Sequence, residues 1–239
     1  MRETATLFGW KGAGIMYLTQ GRIGEISISD TPKDKNAGEA LLRVLDLLVG
    51  IIAVVVFAPL LIGLALAIYI TSPGPLIFAQ PRIGRNGRMF RCFKFRTMVV
   101  DATERLEQLL ASDPLARAEW ARDHKLRNDP RITPLGAFLR KSSLDELPQF
   151  FNLINGTMSI VGPRPIVAAE VVRYGRRFNE YCSVRPGITG LWQVSGRSDT
   201  TYRRRVALDV AYSRHRSLGL NLKIMAMTVP AVLAAKGSR

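Results

Sequence analysis

Between Leu47 and Ile70 the chain runs for 24 residues without a charged side chain. A hydrocarbon core about 30 Å thick needs about 20 apolar residues of helix to cross it, so this run is long enough to enter a bilayer. It begins too far into the chain, and behind too mixed a leader, for a cleaved secretory signal. A buried core helix is the competing reading, but core helices of this length keep a polar stripe, and this run has none.

Pro59 lies near the middle of the run, with Gly50 and Gly63 on either side. Proline inside a helix removes one hydrogen bond and crowds the preceding turn, which predicts a kink. Two segments of about 12 residues, each reaching about 18 Å, would then enter and leave by the same face. A kinked span through the bilayer is the alternative. Lys33, Lys35 and Arg43 precede the run, and Arg82, Arg85, Arg88, Arg91, Lys94 and Arg96 follow it. Basic flanks on both sides favour two cytoplasmic ends.

The charge balance separates the chain into parts. The formal net charge is +15 over 239 residues. Residues 1–70 carry six basic and six acidic side chains, so the whole excess lies downstream. That excess points to an anionic partner: a phosphate-bearing ligand, an acidic lipid surface or a nucleic acid. Hydrophobic residues at 47% exclude a disordered chain. Two cysteines, Cys92 and Cys182, exclude a disulfide scaffold and a four-thiolate zinc site. His124 and His215 are too isolated from other ligands to suggest zinc.

Three parts follow: a loosely ordered leader over 1–38, a proline-broken re-entrant membrane helix over 39–70, and a cytoplasmic domain over 71–239. Within the last, a hairpin is expected from Leu76–Phe78 and Met89–Phe95. Helices are expected over Val100–Arg127, Asp145–Ile154, Ile166–Tyr181, 202–213 and 218–235, the last lying against the bilayer, with a short strand over Leu191–Val194. The fold class is α+β: mostly helical, with a small β-hairpin or sheet.

The segment Ser142-Ser143-Leu144-Asp145-Glu146-Leu147-Pro148 carries the strongest chemical signal. Proline is tolerated only in the first turn of a helix, so a helix should start close to Asp145. Ser143 and Glu146 match a capping box, which gives the pair a purely structural reading. The same physics keeps a carboxylate at free N–H groups ionised, able to act as nucleophile or metal ligand. Gly162-Pro163-Arg164-Pro165 and Arg185-Pro186-Gly187, with Gly196-Arg197, read as rigid turns presenting arginine forks suited to phosphate. An ordinary surface turn is the plain alternative for each. Asn155-Gly156-Thr157 reads as a turn, and Trp120 and Trp192 as packing residues.

Four motifs in order resemble the bacterial sugar transferases, the monotopic polyprenyl-phosphate phosphoglycosyl transferases. They are Phe93-Lys94-Phe95-Arg96-Thr97-Met98, Ser143 to Gln149, Met158 to Pro165, and Arg185 to Arg197. The likeness runs from about residue 39 onward and is nearest to exopolysaccharide-initiating hexose-1-phosphate transferases. It implies transfer of sugar-1-phosphate from a UDP-sugar to undecaprenyl phosphate, giving undecaprenyl-diphosphate sugar and UMP. It further implies that Asp145 forms a covalent phosphosugar intermediate and that Glu146 helps hold Mg²⁺. Lys94, Arg96, Arg140, Arg164, Arg197 and Asp209 fall on substrate- and phosphate-binding positions, Arg197 on the nucleotide sugar. The expected location is the bacterial inner membrane, with the catalytic domain on the cytoplasmic face. The implied partners are the two substrates and membrane lipid, with a homo-oligomer left open and no nucleic acid. In the family the re-entrant helix breaks at a Ser-Pro pair; here Ala58-Pro59 stands there. A non-catalytic membrane-anchored anion or nucleic-acid binder and an export scaffold are the competing readings.

Overall fold

The computed structural model describes residues 6–11, 14–19, 22–27, 36–123, 126–196 and 200–233. In chain order the strands are β1 (Thr6–Lys11), β2 (Gly14–Thr19), β3 (Arg22–Ser27), β4 (Ile77–Ile83), β5 (Met89–Phe95), β6 (Ser159–Val161) and β7 (Gly187–Thr189). The helices are α1 (Asn36–Thr71), α2 (Ala102–Ser112), α3 (Pro114–Asp123), α4 (Pro134–Ser142), α5 (Gln149–Ile154), α6 (Val171–Tyr174), α7 (Phe178–Cys182), α8 (Leu191–Val194), α9 (Tyr202–His215) and α10 (Leu218–Leu233). The chain is thus mostly helical with small sheets, as the sequence suggests. The strands form one three-stranded and two two-stranded sheets.

Two units divide these elements. The first takes the described residues of 1–56, 79–93 and 149–237; the second takes 57–78 and 94–148.

In the first unit, β1, β2 and β3 form an antiparallel meander, with Ile15 opposite Ile26 and Tyr17 opposite Leu7. The leader therefore holds regular strands where the sequence reading assigned none; glycines at 9 and 24 interrupt the alternation that would have signalled them. The opening turns of α1 are tied to protein. Arg43 donates to the Leu153 and Ile154 carbonyls at 2.6 and 2.9 Å, satisfying the C-terminal end of α5. Asp46, 3% exposed, accepts from Ser159 Oγ and Ile160 N at 2.9 and 2.8 Å. Gly50 allows this close approach, because a Cβ there would lie 3.2 Å from Leu153 and Ile154 side-chain carbons. The main core joins Ile83, Ile166, Val171, Tyr174, Phe178, Tyr181, Cys182, Val206 and Val210. Both cysteines are buried.

Several expectations in this unit change. Ile166–Tyr181 is a chain of short turns, α6 and α7 with 3-10 pieces, broken at Gly175 with φ +50°. Leu191–Val194 is the helix α8, not a strand. The strand lies just before it, where β7 pairs parallel with β6. Asn155-Gly156-Thr157 is the turn the sequence suggests, with Asn155 Oδ1 accepting from Thr157 N at 3.0 Å and Gly156 at φ +81°.

The second unit packs Leu64, Ile68, Phe95 and Leu139 around the later part of α1, flanked by Leu135, Leu144 and Leu147. The expected single helix over 100–127 is split into α2 and α3 at Asp113-Pro114. Asp113 Oδ1 accepts from Leu115 N and Ala116 N, capping the new helix.

The helix α1 is one 36-residue element with Pro59 inside it. Over Gly38–Thr71 it is, among the described residues, the one helix long and apolar enough to cross a membrane. Leu48, Ile51, Ile52, Val55 and Val56 are exposed on its earlier part, and Ile62, Leu66, Tyr69 and Ile70 on its later part. That exposure argues against a core helix.

Candidate active site

In the second unit, Thr133 caps α4, its Oγ1 accepting from Gly136 N at 2.9 Å, and Pro134 occupies the first turn. Gly136 rests on the backbone of Thr97: a Cβ there would lie 2.0 Å from the Thr97 carbonyl oxygen. One turn later on the same face, Arg140 reaches back, its Nε donating to Thr97 Oγ1 at 2.8 Å. The helix ends at Ser143, which adopts the left-handed conformation with φ 59°. That conformation turns the chain into a 3-10 turn, Leu144–Glu146. Leu144 and Leu147 anchor the turn in the core beside Phe95 and Leu139.

The acidic pair therefore sits between two helices, and α5 starts only at Gln149, after Pro148. This corrects the expected helix start near Asp145. The capping box is also not formed, since Ser143 makes no side-chain cap bond and heads a 3-10 turn. Lys94, on β5, meets both acids. Its Nζ lies 2.6 Å from Glu146 Oε1 and 3.7 Å from Asp145 Oδ2. Asp145 is 8% exposed. Burial pushes its carboxyl above the usual range; Lys94 opposes that push, Glu146 adds to it, and Arg140 opposes it.

Among the described residues no three His, Cys, Asp or Glu side chains gather to hold a metal by themselves. Two adjacent carboxylates, one of them buried, are oxygen donors of the kind a Mg²⁺ ion would take alongside substrate phosphate. Glu146 and Asp145 are the residues that would hold it.

Arg96 is placed differently from expectation. Its guanidinium donates to the Ser72 carbonyl, closing the turn after α1, and Gly74 (φ +130°) gives it room. Sequence reasoning missed Thr97, and also the Asp129–Arg131 pair, bidentate at 2.8 and 2.6 Å with Arg131 over the Trp120 ring. No local pattern marks them.

The first unit holds the other candidates. Arg164 is exposed between buried Pro163 and Pro165, as the turn predicts. Gly162 N donates to the Thr189 carbonyl and Gly187 N to the Pro163 carbonyl, both at 2.9 Å. The two turns pack so closely that a Cβ on Gly162 would lie 2.3 Å from the Arg185 carbonyl oxygen. Arg185 itself does not point free; its Nε donates to the Gly156 carbonyl at 3.0 Å. Arg197 lies outside the described residues, as does His124. Asp209, on α9, is 1% exposed and accepts from Tyr174 OH at 2.7 Å. Burial pushes its carboxyl up to about 7, with the Tyr174 hydrogen bond and the charge of Arg164 opposing. Tyr174 is a partner that the sequence did not single out.

The model of the bacterial sugar transferase family matches residues 37–235, a span that takes in both sets of side chains. The chain belongs to this family. An uncharacterized sugar transferase of Haemophilus influenzae is 50% identical to it over 204 residues, covering 85% of this chain and 43% of the relative. The undecaprenyl-phosphate galactose phosphotransferase of Salmonella typhimurium is 46% identical over 204 residues, with the same two shares. The exopolysaccharide production protein ExoY of Rhizobium meliloti is 45% identical over 196 residues, covering 82% of this chain and 87% of the relative. This sugar transferase chain thus spans less than half of the first two relatives and most of the third.

Proposed function

We propose that the chain transfers a hexose-1-phosphate from a UDP-sugar to undecaprenyl phosphate, the first membrane step of exopolysaccharide synthesis. The observation that carries this reading is the Lys94–Asp145–Glu146 cluster: a desolvated carboxylate in a fixed turn, with a cation 3.7 Å away. The names of the relatives support the substrate class.

Asp145 attacks the phosphorus joined to the sugar, and the P–O bond to UMP breaks. UMP leaves with the electron pair. A phosphate oxygen of the lipid then attacks the same phosphorus and releases the Asp145 carboxylate. Covalent catalysis of this kind divides one displacement into two and lets two anionic substrates use one site in turn. Lys94 lowers the repulsion between carboxylate and phosphate, and Arg140 adds positive charge beside it. A Mg²⁺ ion at Asp145 and Glu146 would neutralise charge developing on the diphosphate. The acceptor is a lipid, which places the site at the membrane surface, held there by α1. We read α1 as entering and leaving the inner membrane from its cytoplasmic face.

The test is UMP release from a panel of UDP-sugars by the full chain in membranes, with and without lipid acceptor and with a chelator. Asp145→Asn should abolish release, and mass spectrometry should locate the trapped phosphosugar on Asp145. Full transfer by Asp145→Asn would sink the assignment.

A further inference from the structure

Arg164 sits between two prolines, which remove two backbone N–H groups from its surroundings. The remaining backbone handles on either side are the Pro163 carbonyl and the peptide joining Pro165 to Ile166. The Pro163 carbonyl accepts from Gly187 N. Both polar groups of the Pro165–Ile166 peptide are bonded to side chains. The Pro165 carbonyl accepts from Arg82 Nη1 at 2.9 Å. Ile166 N donates to Tyr181 OH at 3.2 Å, and that hydroxyl donates onward to the Ile83 carbonyl at 2.7 Å. Ile83 N returns a bond to the Ile166 carbonyl at 3.0 Å. Arg82 and Ile83 are consecutive on β4, so one strand end grips this peptide through a side chain and a bridging phenol, and the next carbonyl through a backbone N–H. All of these residues belong to the first unit.

The two anchors are themselves immobilised. Tyr181 is 1% exposed, edge-on to Tyr174 with ring centroids 5.0 Å apart. Arg82 also donates to Gln80 Oε1 at 2.6 Å and lies 3.9 Å from Glu170 Oε2. Its charge is close enough to repel that of Arg164, yet its polar bonds hold it in place. A side chain that binds an anion gains from being fixed before the anion arrives, because less freedom is lost on binding.

We propose that Arg82 and Tyr181 are positioning residues that clamp the Pro165–Ile166 peptide and thereby fix the exposed Arg164 for a ligand phosphate. The inference rests on the reading of Arg164 as a phosphate contact. The clamp acts only through Arg164, and that property separates it from a general contribution to stability.

The test is a double-mutant cycle on the full chain in membranes. The values kcat and KM for a UDP-sugar are measured for wild type, Tyr181→Phe, Arg82→Gln and Arg82→Lys, each with Arg164 and with Arg164→Ala. Tyr181→Phe keeps the buried ring and deletes only the hydroxyl. With Arg164 present it should lower kcat/KM about tenfold, the worth of a disrupted buried hydrogen bond. In the Arg164→Ala background the loss should shrink to less than about twofold. Arg82→Gln should follow the same pattern, with Arg82→Lys recovering part of the loss. Equal losses in both backgrounds, or no loss with Arg164 present, overturn the clamp. Full activity of Arg164→Ala overturns the phosphate contact and the clamp with it. A wild-type chain that transfers from no UDP-sugar overturns the functional reading itself. Melting temperatures are read alongside to confirm that every variant is folded under the assay conditions.

Discussion

Replacing Asp209 by asparagine should erase a specific pH dependence of stability. The carboxyl is 1% exposed, and its Oδ2 accepts from the Tyr174 hydroxyl at 2.7 Å. Its other oxygen, Oδ1, is buried and has no hydrogen-bond partner among the described residues. Desolvation outweighs the Tyr174 bond and the attraction of Arg164, so the folded group holds its proton to about pH 7, whereas the ordinary value is 3.8. Between those two values the folded state binds more protons than the unfolded chain. Stability must then fall as pH rises. The contribution is fully present below about pH 4 and is lost as pH passes 7. A gap of this size corresponds to roughly 4 kcal/mol at most, at about 1.4 kcal/mol for each pH unit.

Asparagine keeps an oxygen for Tyr174 and has no proton to lose. Denaturant midpoints of the full chain in detergent, followed by tryptophan fluorescence from pH 4 to 8, would be compared for wild type and Asp209→Asn. The difference between the two curves isolates Asp209 from every other titrating group. Wild type should lose ground steadily against the variant across that window, by a few kcal/mol. Parallel curves, agreeing within about 0.5 kcal/mol, would show that the buried carboxyl is not protonated at mildly acidic pH.

Two other outcomes follow from packing and from the apolar helix. Gly136→Ala must separate α4 from the Thr97 backbone, because its Cβ would fall 2.0 Å from a carbonyl oxygen; a loss of about 2–5 kcal/mol, seen as a lowered midpoint, is expected. A cysteine introduced at Ser29 should resist an impermeant thiol reagent applied to intact cells, and labelling from outside would mean that α1 crosses the bilayer fully.

The sequence made the charged groups of the site legible far better than their setting. Lys94, Asp145 and Glu146 are brought together, although they lie about 50 residues apart, because β5 and the turn after α4 share the core of Phe95, Leu139, Leu144 and Leu147. The helix α1 and the hairpin of β4 and β5 were legible from an uncharged run and from glycine-punctuated alternation. The capping box at Ser143 was a false lead: its spacing fits, but the left-handed Ser143 diverts the chain into a 3-10 turn. Strand-like Leu191–Val194 is a helix, and the sheet pairing falls just before it, on Gly187–Thr189. Tyr174, Tyr181 and Asn152 carried no local signal, since each acts on a partner tens of residues away or inside the core. Asn152, fully buried, donates to the Arg91 carbonyl and accepts from Phe93 N.

The glycine and proline motifs divide into two physical kinds. In the second unit, Gly136 exists to let α4 lie against Thr97, and Arg140 profits from that contact one turn later. In the first unit, Gly162 and Gly187 touch each other's backbones, and the prolines beside Gly162 are buried while Arg164 alone faces outward. Reading every Gly/Pro-flanked arginine as a presented guanidinium therefore overcounts. Arg185 also sits in a glycine/proline turn, yet its Nε donates to the Gly156 carbonyl. What distinguishes them is the number of buried prolines beside each. Proline on both sides holds Arg164 at the crest of its turn, whereas Arg185 has a proline on one side only and folds back over the end of α5.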